Sequence, residues 1–332
     1  MVQTLARYIN LVITKLKSTH YPFFLSGFFT LLMGLFFVVG LFFDERYIGG
    51  AAAWLKPTKF ALSVTVYTFT MLWFMSYIET TKRWRKRLLN LMGWVLVLTL
   101  AAEWVGIITQ VIRGTSSHFN VSSPFNTAIW SLMAVAIMIL FIANIVIASL
   151  LIFQRFTSPV LAWGLRLGLI ITLIGLAEGY LMTSPTAQQL ASWEAGGKVT
   201  LAGAHAVGVE DGGPGLPLLK WSTEGGDLRI GHFVGMHALQ ILPLFAWFIS
   251  RRRLRLGQQL QLVWIAALAY LALVGLVTWQ ALRAQPLIRP DSLTLISFFT
   301  ILAFVLLASL VTLMQKPRLS PSKPAADRSL SL

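Results

Sequence analysis

The chain alternates long apolar stretches with short polar ones, and the stretches are too long to be strands. Mostly apolar runs cover 22–43, 58–79, 88–112, 125–153, 159–182, 230–250, 260–282 and 292–314, each closed by polar or turn residues. Crossing about 30 Å of hydrocarbon takes roughly 20 helical residues, so every run is long enough to cross. A spanning segment must satisfy its backbone hydrogen bonds internally, and barrel strands would instead alternate over about ten residues. The pattern predicts an all-α integral membrane protein with about eight transmembrane helices.

Composition agrees with that reading. Only 12% of the residues are charged, against roughly 25% in soluble domains. The formal net charge of +15 raises nucleic acid as a partner, but the placement of the charge argues for topology instead. Lys82, Arg83, Arg85, Lys86 and Arg87 lie between the second and third runs, Arg251, Arg252, Arg253 and Arg255 between the sixth and seventh, and Lys316, Arg318, Lys323 and Arg328 after the last. With eight crossings all three clusters fall on one side, the positive-inside pattern, which puts both termini in the cytoplasm. The lipid bilayer is the expected partner and nucleic acid is not. The chain has no cysteine, which excludes disulfides, thiolate zinc, iron–sulfur clusters and covalently attached haem. The first run exceeds the roughly 7–15 residues of a signal-peptide core and follows a long segment, so it is expected to stay in the mature protein.

Before that run, Leu5, Tyr8, Ile9, Val12, Ile13 and Leu16 recur at helical spacing with Arg7, Lys15 and Lys17 on other faces. Residues 1–19 therefore read as an amphipathic helix lying on the anionic cytoplasmic leaflet. The segment 316–332 is rich in Ser, Pro and Lys and reads as a disordered tail. Between them the two halves of the chain match weakly. Leu55-Lys56-Pro57-Thr58-Lys59-Phe60 answers Leu228-Arg229-Ile230-Gly231-His232-Phe233, and Trp73-Phe74-Met75-Ser76 answers Trp247-Phe248-Ile249-Ser250. Gly106 to Gln110 with Arg113 answers Gly275 to Gln280 with Arg283, and Gly40-Leu41 with Asp44 answers Gly175-Leu176 with Glu178. Four matches in one order suggest two parallel four-helix repeats, 20–156 and 157–315, with a ligand site expected where they meet. On this reading Lys59 and His232 occupy equivalent positions, and the long outer loop 183–229 is an insertion in the second repeat.

Charge inside a membrane costs on the order of 2.5–3.5 kcal/mol per residue, so each instance asks for a reason. Glu103, Glu178, His232 and His237 lie within the apolar runs, and Lys56, Lys59, Arg113, Arg229 and Arg283 stand at outer ends, against the positive-inside tendency. Glu103, Gly106, Gln110 and Arg113 share one broad helix face, as do Arg229, His232, Met236 and Gln240. His237 is about 140° around the helix from His232, which makes the pair a poor metal clamp. Haem b would need axial imidazoles from two helices, and only the sixth run carries intramembrane histidines. The loops add His118, in Arg113-Gly114-Thr115-Ser116-Ser117-His118-Phe119-Asn120, and His205, in a glycine-rich segment that also holds Trp193, Leu216, Leu218, Leu219 and Trp221. Apolar residues among the glycines suit a folded lid better than a tether. No nucleotide-binding glycine motif, nucleophile elbow or HExxH is present.

The stretches Gly203-Ala204-His205, Asp211 to Pro217, Trp221 to Arg229 and His232 to Gln240, together with Arg113 to Asn120, resemble an uncharacterised family of bacterial multi-pass inner-membrane proteins. The resemblance implies a bacterial inner-membrane location and points to the outer loops and the sixth run, and it carries no activity.

The sequence thus predicts an outward-facing polar pocket that binds or transports a small anionic solute or lipid head group. Its expected lining is Lys56, Lys59, Glu103, Gln110, Arg113, His118, Glu178, His205, Arg229, His232, His237 and Gln240, with no metal ligand assigned and the cofactor open. The alternative is a membrane enzyme, redox or metal dependent, with haem or metal on the outer histidines. The oligomeric state is not legible.

Overall fold

A computed structural model describes residues 2–315. Residues 316–332, read above as a tail, and the side chains of Leu5 and Tyr8 lie outside the described residues. The helices follow the apolar runs closely: α1 (Val2–Thr19), α2 (Tyr21–Phe43), α3 (Leu55–Met75), α4 (Arg83–Ile112), α5 (Pro124–Ile152), α6 (Pro159–Glu178), the short α7 (Ala187–Glu194), α8 (Arg229–Ser250), α9 (Leu256–Leu282) and α10 (Ser292–Met314). Their starts are chemically marked. Ser123 and Ser158 each accept a hydrogen bond from the amide three residues on, with proline at the next position, where its missing N–H is no loss. Asp291 does the same for α10, and the His20 ring accepts from the Phe23 amide at 3.1 Å to start α2.

Among the described residues seven helices are long and apolar enough to cross a membrane: α2, α4, α5, α6, α8, α9 and α10. The remaining long helix, α3, is more polar, and its polar residues are turned toward neighbours. Thr65 and Thr68 are buried, Tyr67 Oη donates to Asn144 Oδ1 on α5 at 3.0 Å, and Gln240 on α8 donates to Thr70 Oγ1 at 3.2 Å. α3 packs along α2, and through these bonds it reaches α5 and α8.

The tightest helix pair is α6 against α8, and small residues are the cause. A Cβ on Gly175 would come within 2.4 Å of the Gly235 carbonyl carbon, and one on Gly164 within 2.3 Å of the Ala246 Cβ. Close backbone approach of this kind gives van der Waals packing in a solvent where apolar burial alone does not drive association. α2 packs on α3 and α4, and α4 on α5; α6 packs on α8 and α9, and α9 on α10; α5 meets α6. One core joins α3, α4, α5 and α6 around Met71, Phe74, Leu96, Ile147 and Leu165, and a second joins α6, α8 and α9 around Ile171, Leu242 and Val263. α1 exposes Ile9, Val12 and Ile13, places Leu16 in the first core and sets the Lys15 ammonium 4.8 Å above the Tyr77 ring.

The connection between α6 and α8 is folded. It begins with a 3-10 turn (Gly179–Thr183), continues through α7, and closes with the short strands β3 (Ala206–Val207) and β4 (Gly226–Asp227), which pair antiparallel. The Ala202 amide donates to Phe119 O at 2.8 Å and the Val121 amide to Thr200 O at 2.9 Å, so the connection is laced to the α4–α5 loop. Gly226 lies against Ala281 and Gly208 against Ala284 at the end of α9. Gly212 rests on Gly49 and Gly50 of a small hairpin between α2 and α3 (Tyr47–Ile48 with Ala51–Ala52). At Gly203, Gly208 and Gly212 the backbone is left-handed, which accounts for glycine there. The segment is a cap seated on the ends of α3, α4 and α9.

Candidate functional site

The arginines at the cap end of the helices are built into the fold. Arg229 is paired with Asp227, which is fully buried: one carboxylate oxygen accepts from Nε at 2.9 Å and the other from Nη2 at 2.5 Å, and Asp227 also takes the Ser222 amide at 2.8 Å. Arg113 Nη1 donates to Gln110 Oε1 at 2.9 Å and to Asn126 Oδ1 at 2.7 Å, with its guanidinium 4.4 Å from the Phe125 ring centre. Gln110 is itself fully buried and donates to Asn126 at 3.0 Å. Arg283 is paired with Asp291 and contacts Thr294 Oγ1 at 3.4 Å. Arg113 and Arg283 are thus equivalent in placement. Each is the residue that ends its helix, α4 or α9, and each donates to the third residue of the next helix, Asn126 or Thr294.

The lysines differ from one another. Lys59 Nζ donates to Leu219 O at 3.0 Å, tying α3 to the cap. Lys56, one turn earlier and half-buried, makes neither a hydrogen bond nor an ion pair with any described residue. Its charge acts on Glu103, His118 and His205, and the charges of Glu103, Arg229, Lys59 and Asp211 act on it. These groups come from α3, α4, the α4–α5 loop and the cap, and they form one electrostatic cluster.

Glu103 is 1% exposed, and its Oε1 has no hydrogen-bond partner. An isolated buried polar atom is costly, on the order of 1–3 kcal/mol. His118 lies against Trp130, ring centres 5.4 Å apart, with Nδ1 3.1 Å from Ser117 Oγ, and burial pushes its pKa far down, so the ring is neutral at pH 7. His205 stands edge-on to Phe119 at 4.9 Å, with Nδ1 2.7 Å from Asp211 Oδ2. Asp211 is held by the amides of His205 and Ala206 as well. Burial pushes the Asp211 carboxyl up, but these hydrogen bonds outweigh it and hold the group at about 2. Burial lowers the pKa of His205 despite its carboxylate partner. Since an ionised carboxylate only accepts, Nδ1 carries the ring proton and Nε2 is a bare acceptor. Nε2 has no partner among the described residues, and the side chain is 24% exposed.

Three other expected residues sit differently. Glu178 Oε1 accepts from Thr278 on α9 at 2.9 Å while Oε2 has no partner, and His232 Nδ1 bonds Gly175 O on α6 at 2.6 Å. Both join α6, α8 and α9. His237 is exposed on α8, with only Gln240, 3.3 Å away, beside it. Asp211 and Asp227 were not singled out from sequence. The signals for them were modest: an aspartate six residues after His205, and one two residues before Arg229 at a helix start, where a short acidic side chain bonds nearby backbone. Among the described residues no three histidine, aspartate or glutamate side chains are gathered closely enough to hold a metal ion. Compared with family models, curated proteins and solved structures, the chain finds no match.

Proposed function

We propose that the chain is a polytopic protein of the bacterial inner membrane, crossing it eight times with both termini in the cytoplasm, that binds or carries a small anionic solute or lipid head group under its outer cap. The observation that carries this reading is the state of the outer bases. Arg113, Arg229, Arg283 and Lys59 each have a hydrogen-bonded partner, and Lys56 makes neither a hydrogen bond nor an ion pair with any described residue. The Lys56 side chain is half-buried while its ammonium makes no such bond or pair, which leaves that charge available to an anion. α3 serves as the eighth crossing on this reading, because 21 helical residues are long enough to span and its polar side chains are sheltered by α2, α5 and α8. The equivalent placement of Arg113 and Arg283, and the like order of helix packing in the two halves, support two parallel repeats with Lys59 and His232 in corresponding positions.

The test is ligand-induced thermal stabilisation of the purified protein in nanodiscs, with inorganic phosphate, sulfate and acetate as probes and with anionic against zwitterionic lipid. At least one anion is expected to raise the melting temperature, and Lys56→Gln to weaken that anion tenfold or more. Absence of any anion effect, or an effect that Lys56→Gln leaves intact, overturns the reading.

A further inference from the structure

The groups around Lys56 constrain what kind of anion fits. His205 Nε2, on the cap, is an acceptor with no donor, and Lys56 is a cation that makes neither a hydrogen bond nor an ion pair with any described residue, with the charges of Glu103 and Asp211 acting on it. A bare anion such as sulfate answers the cation and leaves that acceptor empty. We propose that the site selects an oxyanion that carries its own O–H group, phosphate being the simplest, with the charge on Lys56 and the O–H donated to His205 Nε2. The inference rests on the anion-binding reading above and names its ligand class.

Asp211 sets the selectivity. Its carboxylate takes the Nδ1 proton at 2.7 Å and is itself fixed by two backbone amides, so the imidazole cannot present an N–H to the ligand without breaking that bond. A site built around an acceptor rejects ligands that bring no donor, because pairing acceptor with acceptor leaves a desolvated lone pair facing a negative oxygen. The same chemistry is found in free phosphate and in a phosphomonoester lipid head group.

The experiment uses the full chain in zwitterionic nanodiscs at pH 7 and measures affinity for inorganic phosphate and sulfate by calorimetry. The lipid arm compares nanodiscs containing phosphatidic acid with ones containing phosphatidylmethanol, a diester whose phosphate has no O–H. Phosphate binding at least tenfold tighter than sulfate is expected if the ligand is free, and preferential stabilisation by phosphatidic acid over phosphatidylmethanol if it is a lipid. Asp211→Asn supplies the decisive variant. Its amide donates to Nδ1, which moves the ring proton to Nε2 and turns acceptor into donor, so the preference for the protic ligand is expected to vanish or reverse. A structural role for Asp211 would weaken both ligands alike. His205→Phe, which keeps the edge contact with Phe119, is expected to equalise the two. Equal binding of both ligands by the unaltered chain, or a preference that Asp211→Asn leaves intact, overturns this inference and leaves the anion site standing. Failure of every anion and of both lipids overturns both.

Discussion

The His205 ring and the Asp211 carboxylate meet at 2.7 Å inside the cap, and the same carboxylate holds the cap's backbone through the amides of His205 and Ala206. One acidic residue therefore orients an imidazole and folds the segment that carries it.

A pH dependence of the cap follows. His118, in the α4–α5 loop laced to the cap, and His205, in the cap, have lowered pKa values, so these segments take up protons at a higher pH unfolded than folded. The stability they contribute is complete above about 6.5 and declines as pH falls below it. Asp211 has the opposite starting point, an acid held at about 2, and its contribution is lost only below about pH 4. Protection factors, corrected for the intrinsic pH dependence of exchange, are expected to fall in residues 183–229 between pH 7 and pH 5 while those of α9 stay unchanged. Flat protection over that range would contradict the burial of His118.

Asp227→Ala removes the carboxylate that neutralises Arg229 and leaves the guanidinium with the Lys220 carbonyl. Breaking a buried pair by deleting one member costs about 3–5 kcal/mol, and the 22% exposure of the Arg229 side chain places the loss at the lower end. The melting temperature should drop by several degrees. Asp227→Ala with Arg229→Leu should recover part of it, since the double change leaves no unpaired charge.

Gly175→Leu is expected to be far worse than Gly257→Leu. A Cβ at residue 175 would overlap the Gly235 backbone, whereas one at residue 257 would meet nothing within 4 Å. Separation of α6 from α8 would also break the His232–Gly175 hydrogen bond. Yield of monodisperse protein and melting temperature both measure it.

Glu103→Gln separates structure from function. The amide cannot ionise and fills the same buried space, so stability should be unchanged or higher by about 1 kcal/mol. Anion binding should change nonetheless, because the acid that acts on Lys56 is gone. An unchanged affinity would remove Glu103 from the site.

The number of crossings is open to a direct check, because a chain without cysteine is a clean background for labelling. Single cysteines at Ser116 and Thr223 should react with an impermeant maleimide from outside, and cysteines at Thr81 and Arg253 only after the membrane is opened. Labelling of Thr81→Cys from outside would mean that α3 does not cross.

The apolar runs by themselves determined where the long helices lie, since run length and flanking polar residues fix where a helix enters and leaves hydrocarbon; all eight runs appear as helices with ends shifted by a few residues. The clustering of ionisable residues toward one end was legible for the same reason, intramembrane charge being costly wherever it is not needed. What the sequence left open was which of those charges are already satisfied. Arg113, Arg229 and Arg283 looked like Lys56 in a list of outer bases, and only the folded cap and the helix ends decided that the three arginines are paired and the lysine is not. Pairing depends on partners such as Asn126 and Lys220, brought within 3 Å by the turn between α4 and α5 and by the path of the cap, and loop paths are set by tertiary contacts and left-handed glycines that no hydrophobic period encodes.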